Sequence, residues 1–423
     1  MFSLPPRSFR VGAAAVAGAL LVAACGGDDD TAGSSGDTSA TPTSAAPATS
    51  SDDGTETSPS ATPRLTSIAG IDLDAVASAL DDRTHGSFPE PLIDPDAVRS
   101  GGPPPDGIPP IDDPQYDAVA DVDFLADAEP VLALEIDGDA RAFPLQIMTW
   151  HEIVNDTIGG VPVTVSFCPL CNSAVAFERD IEGTVFDFGT SGSLFNSSLV
   201  MYDRQTETLW THFDGKAVIG ALTGIELAKI PVQTVSWADF KATFPDGRVL
   251  NRDTGFSRRY GENPYVGYDN ADDRPFLFSG DIDGRLAPKE RVVAVRGDET
   301  KIIPTFVLEE QGAVAFEIDG RQAIALFDAG TASALDSGSI AQGRDVGATG
   351  VFEQVVEGDI AVDLAANGDG TFTDQASGSV FDLFGRAIDG PLVGSELPQI
   401  EALDTFWFAI AAFEPDAEII GIG

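Results

Sequence analysis

Cys168-Pro169-Leu170-Cys171 closes the apolar run Val161–Phe167 and sets two sulfurs within reach of each other. Thiols at this spacing form a disulfide, hold a soft metal or exchange with another thiol. Pro169 biases Cys168 towards extended backbone, which places the pair at a strand end rather than inside a helix. No basic residue or helix N-terminus stands beside it to lower a thiol pKa. Two cysteines alone are too few ligands for a closed metal site. A two-residue loop bridged by a disulfide is strained and therefore reducible, which favours redox work over a passive staple. Three readings stand side by side at this point: redox-active thiols, a copper or zinc site, and a structural disulfide.

His151, in Trp150-His151-Glu152-Ile153-Val154-Asn155-Asp156, is the expected partner of the pair. The pattern predicts a short helix over Leu145–Asn155, with His151 and Asn155 on one face and Glu152 and Asp156 on the next. This segment leads into the strand that ends at Cys168. His151 is thus expected to be the proton partner or third metal ligand, with Glu152 or Asp156 orienting it. The competing reading is a buried ring that satisfies backbone groups. His212, in Leu209–Phe213, follows Asp203 and Arg204, where an ion pair closing a turn is the expected arrangement. His85 reads as solvated. There is no zinc-protease helix, Ser-His-Asp order, phosphate-cradling loop, haem-attachment motif or EF-hand spacing.

The elements that must position these residues read as β-rich. Val131–Ile136 and Ala140–Phe143 flank Asp137-Gly138-Asp139, a hairpin signal. Val161–Phe167 enters the cysteine pair as a strand, Ser173–Glu178 leaves it as one, and a helix is expected over Trp237–Phe244. Val98–Pro114 is too rich in Gly and Pro for helix or central strand and reads as an extended wrap. A short helix is expected over Leu73–Leu80.

The second half echoes the first. Gly215–Pro231 matches Gly385–Ile400 in spacing, and Trp237–Asp246 is answered by Phe406–Asp416. Ala325–Ala334 falls where Val165–Ala174 would be, with Asp328 in place of Cys168 and Thr331 in place of Cys171. The expectation is α+β, β-rich, with two pseudo-duplicated lobes of mainly antiparallel strands and short helices. The lobes span 115–255 and 285–421, joined by a connector at 256–284 and preceded by an extended lead-in at 65–114.

Arg7 and Arg10 precede the apolar stretch Val11–Ala24, which ends in Val22-Ala23-Ala24-Cys25. This reads as a secretory leader over 1–25 rather than a membrane span. Its ending resembles a bacterial lipobox, which implies lipidation of Cys25 and an extracytoplasmic, membrane-anchored protein. Residues 26–64 are rich in Gly, Ser, Thr, Pro and Asp and read as a disordered tether. Acidic residues number 68 against 24 basic ones, for a formal net charge of -44. Such a surface repels nucleic acid, so the expected partners are the membrane, through its lipid anchor, and a thiol redox partner.

In order along the chain stand Ser100-Gly101-Gly102-Pro103-Pro104, Asp106-Gly107-Ile108-Pro109 and Arg141-Ala142-Phe143-Pro144. The Trp150–Asp156 and Cys168–Cys171 segments, Met201–Gln205 and Asn263-Pro264-Tyr265 follow. Through these the chain resembles the bacterial and archaeal family called domain of unknown function 3179, from about Val98 through Tyr268 and more weakly beyond. The resemblance brings no established activity. Some relatives carry selenocysteine in the cysteine motif, which implies redox chemistry at Cys168 and Cys171. The second copy lacks the motif, which implies a scaffold or lid.

Taken together, the expectation is a thiol oxidoreductase using Cys168, Cys171, His151 and Glu152. A copper or zinc protein binding through Cys168, Cys171 and His151 is the rival. The third reading is a binding lipoprotein with a structural disulfide.

Overall fold

The structure, a computed structural model, describes residues 65–422. The expected leader with Cys25 and the expected tether over 26–64 lie outside the described residues. Strands hold 37% of the residues and helices 11%, so the fold is β-rich α+β, with mainly antiparallel sheets and four helices of seven residues each. Among the described residues no helix is long and apolar enough to cross a membrane.

Tight turns set the registers. Strand Pro130–Ile136 pairs with Asp139–Pro144 across Asp137 and Gly138, both at positive φ (50° and 81°). This is the turn chemistry that matches strand twist. Gly159 and Gly160 do the same for Ile153–Ile158 and Val161–Cys168. A Cβ on Gly159 would lie 2.4 Å from the Ile136 carbonyl oxygen, so only glycine fits.

The same order of elements occurs twice. Hairpin 130–144, helix Leu145–His151 and hairpin 153–168 are matched by hairpin 291–304, helix Thr305–Gln311 and hairpin 313–328. In each run a later strand adds to the first hairpin: Gln233–Ser236 beside Pro130–Ile136, and Ala402–Phe406 beside Arg291–Val295. A helix follows, opening with Trp237 or Trp407, and each Trp amide donates to the glutamate before the first hairpin, Glu129 or Glu290. A short strand then pairs in parallel, Arg248–Leu250 on Asp139–Pro144 and Glu418–Ile419 on Lys301–Pro304. In this correspondence Asp328 ends the strand equivalent to that of Cys168.

The two runs share their cores. One cluster joins Cys168, Cys171 and Val175 to Val292, Phe406 and Trp407. Another joins Val131, Val235 and Trp237 to Ile324, Phe352 and Phe372. Each large apolar side chain so buried contributes roughly 1.5–3 kcal/mol. The 256–284 segment packs against the first cluster through Tyr265, Tyr268 and Phe278.

Two helical expectations are corrected. Helix Leu145–His151 stops four residues short of Asn155, because Glu152 turns left-handed (φ 59°) and caps it, its amide donating to the Met148 carbonyl at 2.8 Å. Ile153–Ile158 is then a strand, so Asn155 and Asp156 share no helix face with His151. At 73–80 only Leu73–Ala75 forms a single 3₁₀ turn. Val76 is already extended (φ -81°, ψ 155°), so the chain leaves the helical conformation after that turn.

Candidate functional site

Cys168 is the last residue of its strand, and Ser173 begins the next, pairing with it in register. The intervening turn brings the two sulfurs into a disulfide, with Cα atoms 5.6 Å apart. Asn172, at φ 49°, supplies the left-handed residue that returns the chain to the sheet. Both cysteines are buried, at 2% and 0% exposure. The loop is held from outside by three hydrogen bonds. Phe406 N–H and the Thr405 hydroxyl both donate to the Cys171 carbonyl, at 3.0 and 2.9 Å, and the Tyr268 hydroxyl donates to the Leu170 carbonyl at 3.0 Å.

The histidine beside the sulfurs is His212. The Ser166 hydroxyl lies 3.1 Å from its Nδ1, and the Ser173 hydroxyl and carbonyl lie 3.0 and 3.2 Å from its Nε2. A carbonyl only accepts, so Nε2 carries the proton and Nδ1 accepts from Ser166. The chain then runs one way: Ser166 to His212, His212 to Ser173, and the Ser173 hydroxyl to Cys171 Sγ at 3.3 Å. The Ser198 hydroxyl lies 3.5 Å from the same sulfur. Complete burial pushes His212 down to about 3, with a smaller contribution from Arg296, so the ring stays neutral. It orients Ser173 and holds no charge. The expected Asp203–Arg204 pair does not form. Asp203 is buried and accepts from Trp210 Nε1 at 2.9 Å, while Arg204 pairs with Asp112 and Asp106 at 2.7 and 3.2 Å.

His151 is fully buried and directed elsewhere. Its Nδ1 donates to the Pro109 carbonyl at 2.7 Å and its Nε2 accepts from the Tyr260 hydroxyl at 2.6 Å. Burial lowers its pKa. Both nitrogens are thus used by the Gly/Pro-rich wrap and the 256–284 segment, and neither reaches the sulfurs. Asp156 accepts from Tyr116 and Arg141, and Asn155 bonds Asp112 and the Phe188 backbone. His85 is exposed, its ring nitrogen 2.8 Å from the Ser87 hydroxyl. Among the described residues no three His, Cys, Asp or Glu side chains gather into a metal-sized group.

Glu152 lies on the other side of the cysteine loop. Its carbonyl accepts from Phe167 N–H at 2.8 Å, which ties it to the strand carrying Cys168. It lines a cleft of about 370 Å³ with Leu170, Leu199, Tyr265, Tyr268 and Phe276. The residue is 6% exposed, with the Tyr265 hydroxyl 3.5 Å from Oε1, and among the described residues it has no salt-bridge partner. Burial raises its pKa to about 8, a rise that the Tyr265 bond opposes. A non-glycine residue held left-handed costs about 1 kcal/mol or more. The equivalent position in the second run is Gly312, which meets no such cost.

The sequence pattern singled out the pair, His151 and Glu152, gave His212 only a place beside a turn-closing ion pair, and did not single out Ser173 or Tyr268 for the site. Tyr265 stood in the Asn263-Pro264-Tyr265 motif, which was the available signal. A family model described as a protein of unknown function (DUF3179) matches residues 105–417, a span that includes the pair, His212, Glu152, the first run of elements and all of the second but its last short strand. No curated protein and no solved structure matches the chain.

Proposed function

We propose that this chain, which belongs to the DUF3179 family, is an extracytoplasmic, membrane-tethered thiol–disulfide redox protein working through Cys168 and Cys171. Its partner is a dithiol. One partner thiolate attacks a sulfur of the pair and forms a mixed disulfide, and the second partner thiol resolves it. The partner leaves as a disulfide, while Cys168 and Cys171 gain two electrons and two protons. The reverse reaction oxidises the pair.

The observation that carries this reading is the directed hydrogen-bond chain ending on Cys171 Sγ. A hydroxyl aimed at sulfur adds little to a closed disulfide but stabilises the thiolate that forms when it opens. A structural staple has no use for two hydroxyls and an orienting imidazole in a dry interior. His212 replaces His151 in this arrangement, as a positioning residue rather than a proton carrier. The metal reading has no third ligand in its support.

The test is redox titration of the native protein in dithiothreitol buffers, read by thiol alkylation. Reversible reduction without unfolding is expected. Ser173→Ala should make the pair harder to reduce, its midpoint about 30 mV more negative, the equivalent of one charged hydrogen bond. A pair that opens only in denaturant, or a midpoint indifferent to Ser173, rejects the proposal and leaves the staple.

A further inference from the structure

We propose that the cleft over Glu152 binds a small organic monocation, an ammonium group carried on an apolar body. The site is independent of whether the cysteines cycle. Its walls are apolar, from Leu170, Leu199 and Phe276, with Ile108 and Leu194 beyond, and its volume of about 370 Å³ suits a small molecule. Glu152 is the one carboxyl in that lining. The residue is 6% exposed, and among the described residues it has no salt-bridge partner.

A carboxyl in such a place is costly unless it is paired. The fold adds to the cost by holding Glu152 left-handed where the second run uses Gly312. A neutral side chain would be the less costly occupant of the position. What repays a carboxylate there is a cation supplied from outside, and aromatic faces strengthen that attraction. Tyr265 and Phe276 are the rings left for the ligand, because the Lys289 ammonium already sits 4.2 Å from the Tyr268 ring centroid. The net charge of -44 concentrates organic cations and repels anions around the whole molecule.

The same electrostatics give the site a signature that no neutral ligand shares. Near neutral pH the carboxyl, raised to about 8, holds its proton. An incoming ammonium favours the carboxylate, so binding must expel that proton. The other titratable groups at the cleft are Tyr265 and Tyr268, both pushed up by burial, Tyr268 to about 12, and Lys289 behind Tyr268, lowered by burial. Neither tyrosine ionises near neutrality.

The experiment is calorimetric titration of the folded protein with benzyltrimethylammonium near pH 7, in two buffers of different ionisation enthalpy. Its uncharged shape analogue, neopentylbenzene, is the control. The cation should bind at least about tenfold more tightly than the analogue, with close to one proton released per ligand. Glu152→Gln, which keeps the shape, should abolish both the preference and the release. Equal binding of the two ligands, binding without proton release, or an unaffected Glu152→Gln variant each overturns the proposal. If Glu152→Gln does not fold, the ligand pair and the proton count decide the matter on the wild-type protein.

Discussion

Glu152 and His212 are both buried without a counter-charge, and the interior resolves the two problems by keeping each neutral. For Glu152 the folded pKa, about 8, lies above the ordinary 4.5. Between those values the unfolded chain has lost the proton that the folded chain keeps, so this residue's contribution to stability falls as pH rises from 4.5 to 8 and is flat beyond. His212 acts oppositely. Its folded pKa, about 3, lies below the ordinary 6.5, so its contribution falls as pH drops through 6.5 towards 3. Comparing Glu152→Gln with the wild type at each pH isolates the first effect. The variant should gain steadily on the wild type from about pH 4.5 upward, reaching roughly 4–5 kcal/mol near pH 8. Thermal or urea unfolding followed by circular dichroism checks it. A difference that does not change with pH would mean that the carboxyl is solvated.

The cysteine loop is the element on which the redox reading turns, and it is clamped by residues far away in sequence. Phe406 and Thr405 hold Cys171 through its carbonyl, and Tyr268 holds Leu170. Sulfurs at 2% and 0% exposure can be attacked only when these bonds let go. Tyr268→Phe removes one of them and keeps the ring, so a small dithiol should reduce the disulfide about fivefold faster, as the loss of roughly 1 kcal/mol predicts. Stopped-flow alkylation would read the rate, and an unchanged rate would mean that opening does not pass through this latch. The clamp also shows what the sequence exposes and what it hides. Asp137-Gly138, the strand ending at Cys168 and the match of Asp328 to Cys168 are legible because turn chemistry and strand endings are local. His212 is not, because its contact with Ser173, and through it with Cys171, comes from sheet packing across 39 residues. The sequence pattern runs the helix four residues past its end at His151, although a signal for that end lies in the second run. Gly312 stands at the position of Glu152 in the second run, and a glycine there marks a helix cap.

At the scale of the molecule, the internal repeat did not produce two independent bodies. The strand that closes the first hairpin sheet of the second run, Ala402–Phe406, covers the cysteine loop of the first. In return, Gln233, on the equivalent strand of the first run, donates to the Thr349 and Leu383 carbonyls of the second. The exchange is reciprocal, and each main core is built from both halves. Losing the thiols from the second run is therefore compatible with keeping its structure, because that run is the wall behind the first run's sulfurs. A chain ending at residue 284 would leave Val175, Cys168 and Cys171 without Val292, Phe406 and Trp407, and would leave Val131, Val235 and Trp237 without Ile324, Phe352 and Phe372. Burial lost on that scale exceeds the 5–15 kcal/mol by which a domain of this kind is stable. The truncated chain should show no cooperative thermal transition, and its disulfide should react with dithiothreitol at the rate of an unfolded peptide. The intact chain should unfold in a single transition, and its disulfide in the folded state should react with dithiothreitol more slowly than that of the truncated chain. Two separable transitions in the intact chain, or a folded truncation with a protected disulfide, would show instead that the first run stands alone and that the second is an attachment.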